Sequence, residues 1–142
     1  MKFPDFEQSF AGNHAVYAEY AVLLVDVDTV PSDGVDVIIS PVAQVAIHAE
    51  DRQMVVYSVA ANPEPMLPPV SLFEIFVQAW PMPHHEPKEF TVMVQLPIAP
   101  QEQGDQPWRL APLAGVWISR EEQEIWLLVR PQSEYPEDIL PA

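Results

Sequence analysis

His84-His85-Glu86 is the part of this sequence best equipped to hold a metal ion, since neighbouring imidazoles can supply two nitrogens. His14 and His48 stand elsewhere, and neither a second cluster nor an HExxH helix completes a ligand set. The expectation is no metal and no cofactor, and a metal-dependent enzyme built on the His84 and His85 loop is the least favoured reading. Nucleophilic catalysis has no support either. The chain lacks a G-x-S-x-G elbow, and Gly12, Gly34, Gly104 and Gly115 are isolated, so no phosphate-cradling loop forms. Asp26 and Asp28 can share one face of a strand. Acid–base work would need one of them buried with a raised pKa, and two solvated carboxylates are the simpler reading. The chain is expected not to be an enzyme.

Binding chemistry is better represented. A hairpin turning at Glu121-Glu122 sets Trp117 directly across from Trp126. Val116, Ile118, Ile125, Leu127 and Val129 then fill the opposite face. The Trp face, with Leu128, needs a cover. Either the protein's own helix supplies it, which is the favoured reading, or a partner does, because aromatic anchors dominate interfaces. Tyr135, Ile139 and Leu140 in the C-terminal tail form either a frayed end or a docking peptide. The expected partner-binding set is thus Trp117, Trp126, Leu128, Glu121, Glu122, Tyr135, Ile139 and Leu140.

Charge narrows the partners. Twenty-one acids against six bases give a net charge of −15 over 142 residues. Such a chain repels phosphate backbones and anionic membranes, so direct nucleic-acid and membrane binding are not expected, and a basic protein partner is. No apolar run reaches the ~18 residues that span a bilayer. The acidic, proline-containing start MKFPDFEQSF does not read as a signal peptide. The absence of cysteine excludes disulfides and suits a reducing compartment, so a cytoplasmic location is expected.

The elements that position these residues are mostly strands. Seventeen prolines punctuate the chain and leave little room for long helices. Phe6 and Phe10 allow a short helix opened by Pro4. Residues 16–28 read as a long strand, although Tyr17, Tyr20 and Leu24 also fit a helical face. Residues 31–34 read as a turn and 35–40 as a short strand. Residues 41–60 form a hairpin, with Val45, Ile47, Met54 and Val56 on one face. Ser71 and Glu74 make a capping box for a helix over 71–80, with Leu72, Phe73, Phe76, Val77 and Trp80 on its buried face. Residues 89–98 alternate as a strand, with Phe90, Val92, Val94, Leu96 and Ile98 on one side.

The second hairpin, over 112–131, echoes the first at an offset of about 71 residues: Pro41 matches Pro112, Val45 matches Val116, Ile47 matches Ile118 and Glu50 matches Glu121. Two half-repeats, 1–71 and 72–142, are one reading of this, and shared hairpin patterning is the simpler one.

The expected fold is a single β-rich α+β domain of mostly antiparallel hairpins with one or two short helices. An all-β sandwich is the alternative, and the helix near Ser71 decides between them. The expected function is stoichiometric binding of a basic protein as an inhibitor, immunity protein or adaptor. Its target would be a toxin, a nuclease or transcription machinery, a profile shared by many phage and mobile-element proteins. A self-associating assembly subunit is the runner-up, and the sequence leaves the oligomeric state open.

Overall fold

The computed structural model describes residues 1–10, 12, 14–30, 34–58, 72–80, 89–97, 108–131, 133 and 135. Its elements are α1 (Phe3–Gln8), α2 (His14–Tyr17), β1 (Ala21–Val30), β2 (Gly34–His48), β3 (Gln53–Ser58), α3 (Phe73–Gln78), β4 (Thr91–Pro97), β5 (Trp108–Pro112), β6 (Gly115–Ser119) and β7 (Glu124–Leu128). The strands form one curled mixed sheet in the order β5-β4-β3-β2-β1-β7-β6. With helices beside it, the protein is β-rich α+β and not an all-β sandwich.

Strand β2 is where the sheet bends. Its first part pairs antiparallel with β1 as far as Pro41, and the part from Val42 pairs antiparallel with β3, with a register shift between Val42 and Gln44. Proline lacks a ladder donor and suits such a switch. Pro112 ends β5 before the chain passes through Leu113 and Ala114 into β6, moving from β4's side of the sheet to β7's. The expected short strand over 35–40 and the first hairpin arm are therefore one continuous strand of 15 residues.

Both hairpins form, the second in the expected register. Val45 faces Val56, Ile47 faces Met54, and Trp117 faces Trp126. Two parallel pairs, β3 with β4 and β1 with β7, join elements distant in sequence. Parallel neighbours need a crossover connection. The one between β3 and β4 carries α3.

Period-two alternation sends Val22 and Leu24, Met54 and Val56, Val92 and Val94, and Ile125 and Leu127 into one core. The helices close that core with Phe3, Phe6, Phe10, Phe73, Phe76 and Trp80. Their rings meet edge-on or tilted, as Phe6 does with Phe76 at 6.0 Å and with Trp80 at 5.3 Å.

Two expectations need correction. Residues 14–17 are helical, so β1 begins only at Ala21. The α3 N-cap is Leu72, in extended conformation and with no side-chain cap bond. Ser71 lies outside the described residues. The exposed donors are met by backbone instead: Phe73 N–H donates to Tyr20 O at 3.0 Å, and Glu74 N–H to Ala18 O at 2.9 Å. Being outside the helix, Leu72 does not join its buried face and is 42% exposed.

The same bonds recur on both sides of the molecule. Phe3 N–H donates to Phe90 O as Phe73 N–H does to Tyr20 O. Thr91 N–H donates to Arg52 O at 2.9 Å, and Ala21 N–H to Gln123 O at 3.0 Å. Arg52 and Gln123 end their hairpin turns at φ of 53° and 56°, the described non-glycine residues with positive φ.

Candidate partner-binding surface

The Trp face is covered by the chain itself. Val25, Val27, Trp126, Leu128 and Tyr135 form a second buried cluster, with Leu23 and Trp117 packed against it. The cover includes Tyr135 from beyond β7, and not the helix the sequence suggested. Its hydroxyl donates to Val25 O at 2.6 Å and accepts from Val129 N–H at 3.1 Å and Arg130 N–H at 3.3 Å. Burial, opposed in part by those backbone donors, raises the Tyr135 pKa above its ordinary value of 10.0.

Trp126, Leu128 and Tyr135 are at most 6% exposed, so they are core residues here and not free anchors. Tyr135 is also neither a frayed end nor a loose docking peptide. Trp117 is half-buried, while Glu121 and Glu122 are exposed in the turn, where Glu122 N–H donates to Ser119 Oγ at 3.1 Å. Ile139 and Leu140 lie outside the described residues.

Of the catalytic and metal candidates, the structure describes the side chains of Asp26, His14 and His48. Asp26 is buried, and its Oδ1 accepts from Val27 N–H at 2.8 Å and from Arg130 Nε at 2.7 Å, which makes it a structural tie between β1 and the end of β7. The Asp28 side chain, His84 and His85 lie outside the described residues. Among the described residues no group of three potential ligands could hold a metal ion. His14 packs edge-on to Phe73 and Trp80, and His48 Nε2 lies 3.3 Å from Tyr57 Oη.

A different surface combines apolar exposure with free acid. Val16 is 59% exposed, Leu72 42% and Ile75 40%. They lie on α2 and at the start of α3, which the Glu74 N–H to Ala18 O bond holds together. Beside them is a recess of about 260 Å³ lined by Ala15, Val16, Ala18, Glu19, Tyr20, Glu74 and Gln123. Glu19 and Glu74 are exposed, and among the described residues neither carboxylate has an ion-pair or hydrogen-bond partner. The acidic turn residues Glu121 and Glu122 stand just before Gln123.

This corner has no local signature in the sequence. Val16 and Glu19 fell inside an expected strand, and Glu74 was occupied in an expected capping box. Leu72 was placed on the buried helix face. Only the docking of α2 against α3 joins them.

Comparison with protein-family models, with curated protein sequences and with solved structures finds no match to this chain.

Proposed function

We propose that this protein is a stoichiometric binding module that covers a basic surface on a partner protein, acting as an inhibitor, immunity protein or adaptor. One observation carries the reading: exposed apolar side chains and unpaired carboxylates coincide at the α2–α3 corner of a chain of net charge −15. Long-range charge steers association and selects the partner, while desolvated apolar contacts supply most of the affinity. A second copy of the chain carries the same charge and is a poor occupant for this corner, which weighs against the assembly-subunit reading.

Within this proposal the chain is two copies of a unit of about 71 residues. The recurring backbone bonds, the two positive-φ turn residues and the matched Pro41 and Pro112 support it. Each unit would supply a helix, a first strand, a strand that changes sides at its proline, and a final strand paired with the other unit.

The test is binding kinetics on a partner captured from the native host. Raising salt from low to physiological should slow association several-fold and leave dissociation nearly unchanged. Salt-insensitive association would remove charge from the mechanism.

A further inference from the structure

Resting on that reading, we propose that the α2–α3 corner receives an arginine from a basic amphipathic segment of the partner. The guanidinium sits beside Glu19 and Glu74, and neighbouring apolar side chains of the segment lie on Val16, Leu72 and Ile75.

The protein contains its own template for this contact. At the matching corner, Arg52 Nη1 lies 2.8 Å from Glu89 Oε2. Arg52 ends the first hairpin turn, and its carbonyl accepts from Thr91 N–H, two residues beyond Glu89. Gln123 ends the second turn at almost the same φ, and its carbonyl accepts from Ala21 N–H, two residues beyond Glu19. The backbone that sets Arg52 on Glu89 therefore sets Gln123 beside Glu19, and both line the recess. A neutral amide stands where the first corner has a cation. Glu74 adds a second carboxylate at a place that corresponds to Pro4 in α1. Arg120, exposed at the start of the same turn, pairs with neither acid.

Magnitude decides what the occupant must be. An exposed ion pair changes an affinity by about fivefold at most. A lone cation would thus bind too weakly to matter, and the apolar rim must be used as well. Arginine fits better than lysine because its planar fork can serve two carboxylates and its stem packs on apolar surface.

The experiment titrates the full-length, isotope-labelled protein with a synthetic 12-residue peptide of alternating arginine and leucine at low salt, followed by backbone NMR shifts. Shifts should cluster at residues 15–20, 72–75 and 120–124. Gln123→Arg should fill the seat from within, as Arg52 does, and weaken peptide binding about fivefold or more, with the melting temperature held. Arg52 shows that arginine tolerates this φ. Shifts centred elsewhere, or unchanged affinity in a folded Gln123→Arg protein, would overturn the site while leaving the general reading standing. If neither the peptide nor a captured basic partner bound in a salt-sensitive way, the general reading would fall with it.

Discussion

The two hairpin corners share a backbone and differ in charge. Around the first turn, Arg52 pairs with Glu89. Around the second, a neutral Gln123 stands in that place, and among the described residues Glu19 and Glu74 are unpaired beside exposed Val16, Leu72 and Ile75. In the core, Phe6 of α1 and Phe76 of α3 are both fully buried. The lesson is that two turns can share a backbone geometry while the residue type at one surface position decides whether the neighbouring glutamate is paired within the chain.

The likeness of the interiors can be broken first, because it carries the largest energies. Phe6→Ala and Phe76→Ala should each cost about 3–5 kcal/mol in chemical denaturation, and the two losses should be similar. A large loss in one and a negligible loss in the other would mean that the halves do not share a core in the way described.

Tyr135 ties β1 to the end of β7 through three bonds at one hydroxyl. Tyr135→Phe should cost about 1–3 kcal/mol near neutral pH, since Val25 O loses its shortest donor and Val129 N–H keeps only a 3.5 Å bond to that same oxygen. The pH dependence follows from the raised pKa. The folded state disfavours the phenolate, so this contribution is fully present below the ordinary value of 10.0 and is lost as pH rises through the higher folded value. Denaturation curves taken up the alkaline range should fall less steeply for Tyr135→Phe. Some slope should remain, because burial raises Tyr57 as well. An identical alkaline slope in the variant would show that Tyr135 does not ionise with unfolding.

What the sequence disclosed is what is local. Alternation placed Met54, Val56, Ile125 and Leu127 inward, and turn position alone set Trp117 against Trp126. The parallel pairs were hidden because paired residues such as Ala21 and Glu124 lie far apart in the chain and no nearby residue announces their pairing. The start of α3 was misplaced because its first donors are met by Tyr20 O and Ala18 O, which no capping motif encodes. Tyr135 read as tail because its value lies in where its hydroxyl arrives. The contrast between Arg52 and Gln123 could be seen in the sequence, but it acquires meaning only once Glu89 and Glu19 are placed beside them.

The most direct test removes one carboxylate from each corner. Glu19→Gln and Glu89→Gln change the net charge equally and sit at matching backbone positions. Affinity for the arginine–leucine peptide, measured by calorimetry at low salt, should fall about three- to fivefold in Glu19→Gln, the scale of about 1 kcal/mol for an exposed charge pair. It should be unchanged in Glu89→Gln, where Arg52 already occupies the acid. Equal losses in the two variants would mean that binding follows the overall field of the protein, and the open corner would have no special part in it.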